Sequence, residues 1–337
     1  MSREATHPAL PAERRQRKLG RFHTPWSHRL AERLLAVLAT TAIGAVALIF
    51  LFIGREALPL LWESEALEEL GGWAGLFLPQ QWRGYEEASF VWQPVGHPGK
   101  FSLVPLFVGT LKVTLLTMLL SVPLGVGGAI YVSQYAPRRV RDVVKPLIEL
   151  LAGVPSVVLG FFALVVLASW VQDGLGLTYR LNGLVAALGL SLTVVPVVFT
   201  ISEDALQTVP RSLVEASHAL GARRYQTILQ VVLPAAIPGI AAAIVLGFGR
   251  AIGETMIVLM ASGNAAVVDL FDATSSVRTV TATIAAELGE VSRGDAHWRV
   301  LFLLGVLLFT ITYLLNQAGR AITEHLQARF TGAEAKR

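Results

Sequence analysis

The stretch 215–234, EASHALGARRYQTILQVVLP, is polar and carries three charges, yet it lies between the strongly apolar stretches 183–202 and 237–262. Residues 215–227 are mostly helix formers and small residues, Gly221 favours a turn or a close contact, and Pro234 precedes the next apolar run. The pattern predicts a short helix across a membrane surface, in a loop that contacts a soluble partner. An ordinary surface helix between two spans is the alternative.

The composition agrees with a chain that resides in a bilayer. The 337 residues are 53% hydrophobic and only 15% charged, and the mean hydropathy is +0.57, which is too apolar for a soluble globular protein. The absence of cysteine excludes disulfides, thiolate catalysis and cysteine metal ligands. It does not reveal the redox compartment.

Six apolar stretches predict the fold class, an all-α integral membrane protein with six transmembrane helices. They are 34–53, 106–133, 147–171, 183–202, 237–262 and 300–317. A helix needs about 20 residues to cross the hydrocarbon core, so the last stretch needs help from its flanks. Pro123, Pro155 and Pro196 lie inside these runs and predict kinks. Broken helices of this kind often line a pathway, although plain packing explains any single proline equally well.

The distribution of Lys and Arg predicts the orientation. The segments 1–30, 134–146, 206–236 and 319–337 hold 18 basic residues, whereas 54–102, 172–182 and 263–299 hold 7. By the positive-inside rule, both termini and the loop 215–234 are cytoplasmic.

The same pattern divides the chain into five parts: a basic cytoplasmic lead (1–30), a first transmembrane helix (31–54), a periplasmic loop (55–105), a permease domain (106–318) and a cytoplasmic tail (319–337). The basic cluster in the lead serves as an orientation signal or contacts anionic lipid or a partner. The periplasmic loop mixes tryptophans with acidic residues, which suits either the outer membrane interface or contact with a periplasmic protein.

The fifth apolar stretch contains two charges, Arg250 and Glu254. They are four residues apart, so a continuous helix would place them on nearly the same face. Gly249 and Gly253 have the same spacing and allow a neighbouring helix to approach. A charge at mid-membrane costs about 2.5 to 3.5 kcal/mol on the milder scale. Either the two residues form a neutralising ion pair, or Arg250 provides a cationic site for an anion such as phosphate in an aqueous path.

The loop 215–234 resembles the EAA loop of ABC importer permeases. Glu215, Ala216, Gly221, Leu233 and Pro234 match its pattern, while Ser217 and Val231 depart from it. The resemblance implies a type I importer permease fold with a cytoplasmic coupling helix, which docks into a cleft of the ATPase subunit.

Four further segments resemble phosphate ABC transporter permeases of the PstC type: PLGVGGAIYVSQYAP (123–137), LAGVPSVVLGFFAL (151–164), GRAIGETM (249–256) and TATIAAELGE (281–290). This resemblance implies that Arg250, Glu254 and the adjoining Thr255 lie on the phosphate pathway. Glu287 and Glu290, in a predicted outer helix or re-entrant segment, are weaker pathway candidates. A solvated acidic face is an equally good reading of those two.

The resemblance also implies the partners. They are a PstA-like permease subunit in a heterodimer, a PstB-like ATPase dimer that binds ATP, and a periplasmic phosphate-binding protein, together with membrane lipid. No cofactor or metal site is expected in this chain. Transport would occur by alternating access across the inner membrane.

Several classes of function find no support in the sequence. No phosphate-binding Gly-Lys-Ser/Thr loop occurs, so the chain is not expected to hydrolyse ATP or to be an enzyme. The basic residues follow topology, which argues against nucleic-acid binding. A permease for sulfate, molybdate or an amino acid is one alternative. A secondary anion transporter or channel is a more distant one.

Overall fold

The computed structural model describes residues 26–62, 67–68, 70–82, 84–96 and 98–331. Most of the basic lead, Glu63, Glu65, Glu69 and the last six residues of the tail lie outside the described residues. The chain divides into two compact units, Met1–Phe52 and Ile53–Arg337. The described part of the first unit is one helix, which continues into the second.

The described chain is built mainly of helices. In order they are α1 (Trp26–Ala57), α2 (Gly72–Phe77), α3 (Val104–Ile130), α4 (Arg138–Ala152), α5 (Ser156–Phe162), α6 (Ala168–Leu175), α7 (Gly183–Gln207), α8 (Arg211–Ala219), α9 (Arg224–Thr227), α10 (Leu233–Gly253), α11 (Met256–Ala261), α12 (Val280–Glu287) and α13 (Ala296–Thr331). A short antiparallel hairpin pairs β1 (Trp92–Gln93) with β2 (Lys100–Phe101).

Three π-helical segments join neighbouring helices. They are Tyr131–Tyr135 after α3, Ala163–Leu167 between α5 and α6, and Ile228–Val232 between α9 and α10. A π-bulge widens the helix locally, so the helix axis continues through it.

Six helices are long and apolar enough to cross a membrane, as the sequence predicts. They are Leu30–Leu60, Val104–Tyr135, Ser156–Leu175, Gly183–Gln207, Arg224–Gly253 and Ala296–Ala328. The sixth span, which was short in the apolar pattern, reaches 33 residues because α13 extends in both directions.

The predicted start of the third span, residue 147, is wrong. Residues 138–152 form the separate helix α4, and Pro155 lies at the junction before α5. Proline disfavours the helical conformation of the residue before it, so Pro155 separates two helices rather than kinking one. Pro123 and Pro196 do lie inside helices, α3 and α7.

Helix α7 is the most buried of the spans and packs between α3 and α10. Lipid is as apolar as leucine, so packing of small residues replaces the hydrophobic effect as the force between spans. A methyl group on Gly125 of α3 would lie 2.8 Å from a methyl carbon of Val198 in α7, and one on Gly239 of α10 would lie 2.4 Å from the Cβ of Ala205. These contacts require glycine.

Hydrogen bonds between residues far apart in the sequence define two ends of the second unit. At one end, which we call the α8 end, Arg224 donates to the carbonyl of Gln134 and Lys145 pairs with Glu203. At the other, the α12 end, the Gly183 N–H donates to the Ser275 carbonyl (3.0 Å) and the Val280 N–H to the Thr110 hydroxyl (3.1 Å). The hairpin β1–β2 lies at the α12 end, since Trp92 bonds to Glu287.

Candidate transport path and coupling surface

Arg250 lies in the last turn of α10, and its side chain is exposed. No hydrogen bond or ion pair joins it to the described residues. The helix ends at Gly253, and Glu254 adopts an extended conformation with φ −73° and ψ 133°. The helix therefore covers the predicted spacing only up to its C-cap residue, Glu254, and a helical face shared with Arg250 stays a prediction. The predicted alternative, an ion pair between them, does not form in the described chain.

The break in the helix is held by hydrogen bonds. The Thr281 hydroxyl of α12 donates to the carbonyl of Glu254 at 2.9 Å, and the N–H of Leu259 donates to the carbonyl of Thr255 at 2.9 Å. The predicted fifth span, 237–262, is thus a broken helix in which Glu254 and Thr255 are the non-helical residues. Non-helical backbone at membrane depth is tolerated where protein or a water-filled cavity surrounds it.

The surroundings of Gly247 show that α10 runs through the interior of the spans before it reaches the break. A methyl group on Gly247 would lie within 3.5 Å of Met118, Val194 and Val198, which are interior residues of α3 and α7. Two turns further on, a methyl group on Gly253 would meet no atom within 4 Å. This part of α10, which includes Arg250, is an uncovered face of the second unit.

A cavity of about 720 Å³ opens beside the break. Thr255 lines it on one side and Thr281 on the other, together with one face of α12 and the side chains of Arg293 and Trp298. The cavity brings Thr255, a predicted pathway residue, together with Arg293, which sequence reasoning missed.

Glu287 is a hydrogen-bond hub. Its carboxylate accepts from Trp92 Nε1 at 3.1 Å and from Arg278, and it pairs with His297 Nε2 at 2.9 Å. Only 14% of the side chain is exposed, so the alternative of a solvated acidic face is wrong for Glu287. It holds the hairpin, α12 and α13 together. Glu290 is exposed and lies in the turn after α12.

Lys112 is a buried charge that the sequence analysis passed over. It lies inside α3 with 2% of its surface exposed. Its ammonium group donates to the carbonyl of Asp269 at 2.9 Å and to Ser275 Oγ at 2.6 Å. It therefore fastens the connection between α11 and α12 to α3. In the sequence, Lys112 could have been found as a lone lysine within the apolar stretch 106–133.

The predicted coupling segment consists of two helices rather than one. Glu215 and Ala216 are exposed on α8, which ends at Ala219. Gly221 forms the turn with φ 83°, a conformation that favours glycine. Ser217 and Thr227 share a hydrogen bond of 2.9 Å, which fastens α8 to α9.

The sequence predicts that this segment ends at Pro234. In the structure, Leu233 and Pro234 do not end it. They begin α10, which continues the helical path from Arg224 through the π-helical segment to Gly253. The π-helical segment Ile228–Val232 directly precedes Leu233 and Pro234, so the hydrogen-bond pattern changes at the point where proline lacks an N–H donor. Leu233 packs against the buried cluster around Phe199 and Leu206.

Contacts at the α8 end connect this segment to the spans. The guanidinium of Arg224 bonds to the carbonyl of Gln134 and lies 5.5 Å from the Tyr135 ring centroid. Lys145 Nζ on α4 contacts the fully buried Glu203 Oε2 of α7 at 2.8 Å. This hydrogen bond raises the pKa of Lys145 above its ordinary value.

The six apolar spans, the broken fifth span and the exposed helix α8 between two spans are the architecture of a membrane permease. The model of the family described as binding-protein-dependent transport system inner membrane component matches residues 121–332. The chain belongs to this family.

Individual relatives agree. The phosphate transport system permease protein PstC of Mesorhizobium japonicum is 32% identical over 98% of this chain and 99% of its own length. The probable ABC transporter permease protein YqgH of Bacillus subtilis is 37% identical over 67% of this chain and 73% of its own length.

Solved structures support the fold. A chain of a bacterial alginate ABC transporter, in complex with its alginate-bound periplasmic protein, superposes with a TM-score of 0.56 over 91% of this chain and 98% of that chain, at 17% identity. A chain of the inward-facing MetNI methionine ABC transporter gives a TM-score of 0.50 over 66% of this chain and 94% of that chain, at 20% identity. The predicted type I importer permease fold is confirmed.

Proposed function

We propose that this chain is a permease subunit of an ATP-driven, binding-protein-dependent importer of inorganic phosphate. The observation that carries the proposal is an exposed guanidinium, unpaired among the described residues, in the last turn of α10 beside a broken helix, in a chain similar to PstC over 98% of its length. An arginine without a partner in the membrane is costly and marks a functional position.

The chemistry of Arg250 suits phosphate. A guanidinium presents parallel N–H donors that match two phosphate oxygens, and its charge offsets part of the cost of dehydrating the anion. Glu254 and Thr255, on the non-helical segment just beyond Arg250, are proposed as further pathway residues. We propose no transport role for Glu287, because its carboxylate is engaged by three donors within the chain. Glu290 stays a weaker candidate.

The uncovered face around Arg250 and Gly253 supports a second, PstA-like permease subunit as the partner that completes the pathway. Exposed Glu215 and Ala216 on α8 would contact a PstB-like ATPase dimer, which supplies the ATP site. We place the α8 end and both termini in the cytoplasm because of the excess of basic residues there. The α12 end would then face a periplasmic phosphate-binding protein, with 106–318 as the permease domain proper.

Coupling would follow the contacts at the α8 end. Movement of α8 passes through the Ser217–Thr227 hydrogen bond to α9 and along the continuous helix to α10. Arg224 carries the same movement to the end of α3. Both routes lead to the spans around the break, so ATP-driven closure at α8 would change access to Arg250.

The experiment is labelled phosphate uptake in a strain without its own high-affinity system, with the chain co-expressed with its cognate partners. Parallel assays use labelled sulfate and molybdate. We expect ATP-dependent uptake of phosphate alone. Uptake of sulfate or molybdate in place of phosphate would contradict the substrate, and uptake without the ATPase would contradict the importer class.

A further inference from the structure

Arg293 is a free cation held on an aromatic platform at the α12 end. Its guanidinium lies 6.0 Å from the centroid of the Trp298 ring, and the side chain is exposed. Within the described chain it has no hydrogen bond or ion pair. The platform is itself fixed, because Trp298 Nε1 donates to Glu56 Oε2 at 2.9 Å. The charge is therefore positioned and available to a ligand.

Arg293 supplies the charge of the 720 Å³ cavity beside the helix break, which we call the Arg293 cavity. The lining residues that the structure describes include no carboxylate, and Thr255 and Thr281 provide hydroxyl groups. A water occupies about 30 Å³, so a space of about 720 Å³ holds a tetrahedral oxyanion with about 20 waters.

A second cavity, of about 1050 Å³, lies on the other side of α12 and has the opposite character. We call it the Glu290 cavity. The carboxylates of Glu287, Glu290 and Asp295 line it against the single guanidinium of Arg278, among the residues that the structure describes. Local fields of this kind concentrate one sign of ion and exclude the other. An anion arriving at the α12 end is therefore favoured in the Arg293 cavity.

The position of the Arg293 cavity connects it to the transport path. Its wall includes Thr255, one of the two non-helical residues of the break, and Thr281 bonds to the backbone of Glu254, the other. Arg250 lies one helical turn before this point. The Arg293 cavity thus borders the non-helical part of the fifth span on the side of the α12 end.

We propose that the Arg293 cavity receives the transported oxyanion before it reaches Arg250, and that Arg293 is the residue that selects negative charge at this step. The substrate class, a tetrahedral oxyanion such as inorganic phosphate, rests on the proposed function. The charge selectivity of the cavity does not depend on the proposed function.

Two adjacent alanines of α12 provide a matched test. Ala285 is exposed and lines the Arg293 cavity, while Ala286 is exposed and lines the Glu290 cavity. The chain has no cysteine, so Ala285→Cys and Ala286→Cys each introduce a single thiol. In the assembled complex, each variant is labelled with a sulfonate-bearing and a trimethylammonium-bearing methanethiosulfonate, and labelling of this chain is followed by mass. The ratio of the two rates cancels the intrinsic reactivity of the thiol.

We expect the anionic-to-cationic ratio to be about three- to tenfold higher at Ala285→Cys than at Ala286→Cys. Adding Arg293→Gln should remove most of this preference, and Arg293→Lys should retain it. Arg55→Gln removes an exposed arginine at the same end and should have no effect. Equal ratios at the two positions, or a preference that survives Arg293→Gln, would overturn the proposal.

Transport supplies the second readout. With saturating phosphate-loaded binding protein, Arg293→Gln should lower the maximal uptake rate about two- to fivefold, as for loss of an exposed ion pair, and leave the half-saturating concentration of binding protein unchanged. A raised half-saturating concentration with an unchanged maximal rate would instead make Arg293 a docking residue and overturn the proposal. If the parent takes up no phosphate while the labelling ratios behave as expected, the proposed function fails and the anion-selective cavity stands.

Discussion

Glu287 is a carboxylate with a structural role, in contrast to Arg250, which is proposed to face the transport path. Arg278, His297 and Trp92 all direct a donor at it, and these residues belong to three separate parts of the α12 end. Removing one partner of a buried charge network leaves the others unsatisfied. The carboxylate therefore joins the hairpin to the spans.

Glu287→Gln is expected to lower the thermal unfolding midpoint of the assembled complex by about 2–8 °C, because a neutral amide loses the ion pair with Arg278 and accepts weaker hydrogen bonds from the other donors. The measurement is fluorescence-detected size exclusion after heating. Glu290→Gln is the matched control, since Glu290 is exposed, and should leave the midpoint unchanged. An equal loss in both variants would count against the hub.

At the residue scale, the sequence predicted charges but not their partners. Arg250 was identified because a guanidinium in an apolar run is unusual, and the structure leaves it exposed. The helical spacing of Arg250 and Glu254 does not give an ion pair among the described residues, and the backbone leaves the helix after Glu254. The donors to Glu287 come from residues up to 195 positions away in the chain. Periodicity carries no information about such contacts.

The turn at Gly221 is the element on which the proposed coupling depends, because it sets the angle between α8 and α9. Gly221→Val is expected to lower the phosphate transported per ATP hydrolysed, since a β-branched residue at φ 83° is strained by about 1–2 kcal/mol or more. Uptake and hydrolysis are measured together in proteoliposomes. Gly221→Asn is the control, because asparagine tolerates this conformation at similar volume. Equal impairment by asparagine would refute a backbone cause.

The link between α4 and α7 gives a second prediction at this scale. Lys145→Met leaves the fully buried Glu203 without its cation. Breaking a buried pair costs about 3–5 kcal/mol, which we reduce to about 1–3 because a third of the Lys145 side chain is exposed. The thermal unfolding midpoint should fall, and the double variant Lys145→Met, Glu203→Gln should recover most of the loss. No recovery would show that lysine acts through packing.

The same pair has a defined pH dependence. Because the hydrogen bond to Glu203 raises the pKa of Lys145, its stabilisation is complete below the ordinary lysine pKa and is lost only as the pH rises through the raised value. The difference in thermal midpoint between the parent and Glu203→Gln, which keeps the lysine but has no buried carboxylate to titrate, should therefore be constant from pH 6 to about 9, and should shrink only in strongly alkaline solution. A difference that vanishes near neutral pH would contradict this assignment.

The hydropathy of the sequence predicted the number and approximate length of the membrane-spanning helices, but not the residues at which individual helices begin and end. All six apolar stretches contain membrane-spanning helices because their lengths match the hydrocarbon thickness. The separate helix α4, the two-helix coupling segment and the break at Glu254 were missed. Proline separates α4 from α5, a left-handed glycine turns the chain between α8 and α9, and a tertiary hydrogen bond from Thr281 holds the break at Glu254. The π-helical segment Ile228–Val232 lets the helix continue to Pro234.

At the scale of the whole molecule, the second unit presents exposed groups that its own fold does not cover. They are the face of α10 around Arg250, the outer surface of α8 and the two cavities at the α12 end. In the proposed assembly these surfaces meet the second permease subunit, the ATPase dimer and the binding protein respectively. The chain would convert work done at α8 into access at Arg250.

The most direct measurement is ATP-dependent uptake of labelled phosphate by the complete complex, comparing the parent with Arg250→Gln and Arg250→Lys, and with Arg55→Gln as the control for loss of an exposed arginine. The account predicts that Arg250→Gln abolishes uptake while the complex still assembles in the membrane, that Arg250→Lys retains a small fraction, and that Arg55→Gln transports normally. Normal phosphate uptake by Arg250→Gln would contradict the central claim that the anion passes this guanidinium.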